Sequence, residues 1–165
     1  MSDFQRHSIH ALALVSAAFI PATAWAQDAA SEDIIVTATG APSNPAKVGQ
    51  AVTVIDKVDL ELRQPSTVSD LLNTTPGVTV SNTGPIGGFS AVRIRGAEGE
   101  QTLALIDGVR LNDPSSPGGG FDFANLLVGN IERVEILRGP NSVPWGSQAI
   151  GGVVNIITQR ATGET

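Results

Sequence analysis

The order of apolar and polar positions divides this chain into an apolar leader, one isolated β-prone run and a longer patterned region. Residues 11–20 are almost uniformly apolar and end at Pro21. Residues 27–33 are small and acidic, the composition of an unfolded leader. Ile34–Thr39 is β-prone and is followed by the breaker Gly40–Pro45. From Ala51 the pattern predicts successive elements. Strands are expected at 51–55, 78–80, 91–95, 102–106, 109–111, 131–138 and 153–158. A helix is expected to start near Thr67, where Thr67 and Asp70 have capping-box spacing and Leu71 and Leu72 follow; Pro76-Gly77 closes it. Asp107-Gly108 between two apolar runs is a hairpin turn. A short helix is expected at 125–127, and long Gly-rich loops at 81–90, 112–120 and 139–152.

The apolar leader changes the picture first. Arg6 precedes the run, and Ala24-Trp25-Ala26 supplies the small-x-small pattern read by signal peptidase. The run is too short to cross roughly 30 Å of hydrocarbon. We expect residues 1–26 to be an export signal and the mature chain to begin at Gln27. Both histidines, His7 and His10, lie in that leader, and the chain has no Cys. What remains offers no imidazole or thiol, which removes Ser-His-Asp and Cys-His catalysis and the usual zinc ligand sets. An enzyme is not expected. The net charge of −6 argues against nucleic-acid binding. Asp113 and Asp122 lie in one loop, but two loop acids do not define a calcium site, and no metal or cofactor is expected.

Rings stand in unusual places. Phe89, Phe121, Phe123 and Trp145, the aromatics after residue 26, fall in loops, while Val, Ile and Leu fill the strands. They serve either a binding face or the pinning of long loops, with pinning favoured for Trp145. Ile34–Ala38 has no neighbour in sequence to pair with. It is either a first strand of the domain or an edge offered to another chain.

Several segments resemble one family. Asp33–Ala38 (DIIVTA) is similar to the TonB box, by which outer-membrane receptors contact TonB. Val92–Gly96 (VRIRG), Leu105–Asn112 (LIDGVRLN), Ile131–Pro140 (IERVEILRGP) and Gly146–Thr158 (GSQAIGGVVNIIT) resemble successive segments of the plug domain of TonB-dependent receptors. The wording is similar to that of cobalamin and siderophore receptors, cobalamin slightly ahead. The resemblance implies an α+β plug domain over 47–160. It would have a mixed four-to-six-stranded sheet, short helices and long apical loops, with a flexible leader at 27–46. It implies that Asp33, Ile34, Ile35, Val36, Thr37 and Ala38 contact the TonB C-terminal domain by strand addition. It further implies that Arg95 and Arg138 face acidic residues of an outer-membrane β-barrel, and that Phe89, Phe121 and Phe123 touch ligand. Loops 81–90 and 112–123 carry no basic residue, so a large neutral corrinoid suits them as well as an anionic siderophore.

A barrel of roughly 22 strands at about 10 residues each needs over 200 further residues, and 161–165 is at most its start. We expect a fragment of a receptor, a truncated product, or a freestanding soluble periplasmic binding or signalling module.

Overall fold

Seven strands and three short helices are laid out in the computed structural model, which describes residues 37–160 except positions 86, 112, 114 and 115. The strands are β1 (Ala51–Ile55), β2 (Val78–Asn82), β3 (Ser90–Ile94), β4 (Thr102–Ile106), β5 (Val109–Leu111), β6 (Ile131–Arg138) and β7 (Gly152–Thr158). The helices are α1 (Lys57–Arg63), α2 (Val68–Asn73) and the single turn α3 (Ser142–Trp145). One mixed sheet has the order β1-β6-β7-β4-β5, and β2 and β3 form a separate antiparallel pair. Only β4 and β7 run parallel. The α+β class and the mixed sheet are as expected.

The apolar runs of β6 and β7 follow from their central place. Side chains alternate between faces along a strand, so a strand covered on both faces is apolar throughout. Val134 and Ile136 of β6, with Val154 and Ile156 of β7, point to one face. There they pack with Leu60 of α1, Leu71 and Leu72 of α2, Val92 and Ile94 of β3, and Phe123. Leu137 and Val153 point to the other face and pack with Leu103, Leu105, Ala149 and Ala38. That second face also carries Glu135 and Asn155, both at 0 % exposure.

Local signals account for the helices. Thr67 and Asp70 cap α2 reciprocally, each side chain accepting the other's backbone N–H at 3.2 Å. Asp56 caps α1 by accepting from the Asp59 N–H at 2.9 Å, and Gln64 ends it in the left-handed conformation. The sequence pattern missed α1, although Asp56 is a good N-cap residue.

Two expectations fail locally. Residues 125–127 form no helix: Leu126 O accepts the Val68 N–H at 2.8 Å and Leu127 bridges Thr67, so this backbone is committed to α2. The strand expected over Ile34–Thr39 does not reach its end. Thr37–Gly40 is a turn, closed by Gly40 N–H to Thr37 O at 3.0 Å with Gly40 at φ 87°. Asp33, Ile34, Ile35 and Val36 lie outside the described residues, as does the expected export signal at 1–26.

Candidate functional site

Three features built on this frame bear on function. The first is a polar socket on the second face of the sheet. Glu135 and Asn155 are register partners across β6 and β7, and Asn155 Nδ2 donates to Glu135 Oε2 at 3.2 Å. The same carboxylate oxygen accepts the backbone N–H groups of Thr37 at 2.8 Å and Ala38 at 2.9 Å, and the Thr37 hydroxyl at 3.2 Å. Its other oxygen accepts from Arg133 Nε at 3.0 Å. Asn155 Nδ2 also donates to Thr37 Oγ1 at 2.9 Å. Above them, Trp145 Nε1 donates to Ala38 O at 2.8 Å, with Asn141 Nδ2 on the same oxygen at 3.4 Å. A buried carboxylate survives in an apolar layer only when its lone pairs are filled, and these donors fill them.

The socket engages Thr37 and Ala38, the last two residues of the expected TonB-contact segment Asp33–Ala38. Ala38 is wholly buried, so neither it nor Thr37 is free for a partner while the socket is filled. Trp145 does pin a distant segment, the role favoured for it. None of Glu135, Asn141 and Asn155 was singled out in sequence. The signal was an acid between Val134 and Ile136 and an amide between Val154 and Ile156.

The second feature is an arginine pair. Arg95 follows β3 in the left-handed region at φ 53°, and its N–H donates to Gly77 O at 2.9 Å. Its Nη1 lies 3.6 Å from where a Cβ on Gly139 would stand, and Arg138 Cδ lies 3.5 Å from that position on Gly77. Arg95 and Arg138 thus both border the turns at Gly77 and Gly139. Arg138 Nη2 donates to Thr53 Oγ1, and its buried Nε has no partner. Neither arginine forms an ion pair among the described residues, whereas Arg63, Arg93 and Arg133 all do.

The third feature is a cavity of about 240 Å³ where the two long loops meet. Phe89, Phe121, Arg93, Glu98 and Glu100 are among its walls. Asp122 joins the loops by accepting the Ser90 N–H at 2.8 Å and the Ala124 N–H at 3.0 Å. Phe123 N–H adds a bond to Ser90 O at 3.1 Å. The rings divide accordingly. Phe89 is 40 % exposed, whereas Phe123 is 1 % exposed and edge-to-face with Phe121 at 5.1 Å. Phe123 is therefore a core residue, and its expected ligand contact is withdrawn. Asp122 is occupied as a turn cap, and no group of three or more potential acidic, His or Cys ligands lies together among the described residues. No helix of the described residues is long and apolar enough to cross a membrane.

With this geometry in view, the comparisons with known proteins are direct. The profile of the TonB-dependent Receptor Plug Domain matches residues 44–153. Among solved structures, the siderophore receptor PirA from Acinetobacter baumannii is 36 % identical, with a TM-score of 0.57 over 79 % of this chain and 20 % of that one. A mutant of the ferric enterobactin receptor PfeA from Pseudomonas aeruginosa is 32 % identical, with a TM-score of 0.56 over 72 % of this chain and 19 % of the receptor. The ferric yersiniabactin uptake receptor FyuA from Yersinia pestis is 26 % identical, with a TM-score of 0.52 over 67 % and 17 %. The chain belongs to the TonB-dependent receptor plug domain family, a family of receptors and not of enzymes. It spans about a fifth of the length of the receptors it matches.

Proposed function

We propose that this chain is the gating plug of an outer-membrane receptor that takes up a ferric siderophore with energy delivered through TonB. The arginine pair carries the reading. Arg95 and Arg138 both border the turns at Gly77 and Gly139 and have no carboxylate partner among the described residues, and guanidinium groups so placed fit acidic side chains of an enclosing β-barrel. The family membership and the siderophore receptors among its structural neighbours support the substrate class. Residues 1–26 serve as the export signal and Asp33–Ala38 as the TonB-pairing strand.

A cobalamin-type ligand is the second reading. It is favoured by loops 81–90 and 112–123, which carry no basic residue, and by a cavity whose single Arg93 is already paired with Glu98 at 3.1 Å.

The test joins both ends of the proposal. The full chain should bind the TonB C-terminal domain, and Val36→Pro should abolish binding by removing one ladder N–H. In a receptor carrying this plug, Arg95→Glu with Arg138→Glu should stop uptake. Growth on single ferric siderophores or on cobalamin then identifies the ligand. Binding unaffected by Val36→Pro, or uptake unaffected by the double reversal, would overturn the reading.

A further inference from the structure

The β4–β5 turn sets an aspartate directly before a glycine, and Asp107-Gly108 is the one Asp-Gly or Asn-Gly pair in the chain. In such a pair the glycine nitrogen reaches the side-chain carboxyl before it with little hindrance, because glycine has no Cβ. We propose that Asp107-Gly108 is a latent isoaspartate site, kept unreacted by Thr158 and Asn155 of β7 and released when the turn leaves that strand.

The chemistry needs only water. The Gly108 nitrogen gives up its proton and bonds to Asp107 Cγ, a Cγ–O bond breaks, and the carboxyl oxygen leaves as water. The product is a succinimide ring, one water lighter than the starting chain. Water then adds back at one of the two ring carbonyls. Addition at Cγ restores aspartate. Addition at the main-chain carbonyl carbon of Asp107 leaves Gly108 joined through the side chain, as isoaspartate.

The turn is open enough for this reaction. Gly108 is exposed, sits at φ 80°, and has nothing within 4 Å of the position a Cβ would take. The restraint comes from the bonds made by the reacting groups. Asp107 Oδ1 accepts the Thr158 N–H at 2.9 Å and Oδ2 accepts the Thr158 hydroxyl at 2.6 Å, so both carboxylate oxygens are engaged. The attacking nitrogen is committed too: Gly108 N–H donates to Asn155 Oδ1 at 3.2 Å. Asp107 N–H donates to Ile156 O at 2.9 Å and fixes the turn against the same strand. Attack needs a free amide nitrogen and a carboxyl group able to lose an oxygen, and β7 holds both.

Reaction would also prevent the turn from closing again. Isoaspartate inserts an extra backbone carbon between Ile106 and Val109, the register pair next to the turn in a ladder of three. It also replaces the side-chain carboxylate that Thr158 engages. The modification is thus a covalent record of how often the hairpin tip leaves β7. Where opening and closing are fast against the chemistry, its rate follows the population of the open turn.

The experiment incubates the full chain at neutral pH, in native buffer and in denaturing urea. Isoaspartate at 107 is measured by peptide mapping after labelling with protein isoaspartyl methyltransferase. Wild type should isomerise at least about tenfold more slowly in buffer than in urea, since several bonds must open first. Thr158→Val keeps the shape and the N–H but removes the hydroxyl bond. It should react about fivefold faster than wild type in buffer, the value of one hydrogen bond, and equally fast in urea. Asp107→Glu, whose longer side chain does not close the same ring, should give no label at this peptide.

Should Thr158→Val fail to fold, the wild-type ratio decides alone. No isoaspartate at 107 in urea would overturn the site. Wild type reacting in buffer as fast as in urea, or a folded Thr158→Val reacting no faster than wild type, would overturn the restraint by β7.

Discussion

Glu135 and Asn155 face each other across the two central strands, 3.2 Å from amide nitrogen to carboxylate oxygen and both at 0 % exposure. Their neighbours on β6 and β7 are apolar, so a slip of one residue would turn the carboxylate into the aliphatic layer beneath α1 and α2. The pair therefore fixes the register of β6 against β7 as well as holding Thr37 and Ala38. A polar pair that serves both purposes ties the N-terminal segment to the most protected part of the sheet.

Removing that carboxylate should be costly. Glu135→Ala deprives five hydrogen bonds of their acceptor, and with each orphaned buried donor worth about 1–3 kcal/mol, a loss of about 3 kcal/mol or more is expected. Glu135→Gln keeps one acceptor oxygen but turns a donor toward donors, for a loss of about 1–3 kcal/mol. Urea midpoints followed by circular dichroism should fall in the order wild type, Glu135→Gln, Glu135→Ala.

The three loop phenylalanines should separate in the same assay. Phe123→Ala empties a core site and should cost about 3–5 kcal/mol. Phe121, half-buried against it, should cost about 1–3 kcal/mol when truncated. Phe89→Ala should stay within about 0.5 kcal/mol of wild type, while weakening any ligand held over the loop cavity. Thermal melts together with ligand titration distinguish a packing ring from a contact ring.

What the sequence revealed and concealed has a physical basis. The alternation of Ala91–Arg95, the Asp107-Gly108 turn and the Thr67–Asp70 cap are local signals, and the structure uses each of them. Arg95 and Arg138 were found through family wording, but their shared place beside the turns at Gly77 and Gly139 depends on segments that are distant in sequence. The socket was hidden for the same reason: Ala38 meets Glu135 across 97 positions and Trp145 across 107. Periodicity places Phe121 and Phe123 in one loop, yet only the fold sends Phe123 into the core. Its neighbour Asp122 ties that loop to Ser90.

The hairpin turn should report on the end of β7. Asp107 sits at φ 50° and its carboxylate accepts the Thr158 N–H at 2.9 Å and the Thr158 hydroxyl at 2.6 Å. Asn tolerates the left-handed conformation and keeps an acceptor, Gly tolerates it without one, and Ala does neither. Stability should fall in the order wild type, Asp107→Asn, Asp107→Gly, Asp107→Ala. The last should lose about 2 kcal/mol, combining about 1–2 kcal/mol of backbone strain with the lost bonds. Amide exchange at Thr158 should accelerate in the same order.

Gly152 is the point at which the central ladder admits no side chain. A Cβ there would stand 2.4 Å from Leu137 O and 2.7 Å from Ile94 Cδ1. The methyl of Ile94 could turn aside, but Leu137 O belongs to β6 and can retreat only by opening the β6–β7 pairing. Gly152→Ala should therefore cost about 3 kcal/mol, the upper end for overpacking. Adding Ile94→Val should recover only part of the loss, because the backbone clash persists. Gly129→Ala is the matched control: nothing lies within 4 Å of its added Cβ, and the change should be neutral or stabilising by about 0.4–1 kcal/mol. Full recovery in the Gly152→Ala, Ile94→Val double variant would place the clash on the side chain and not on β6. Chemical denaturation of the four proteins decides between them.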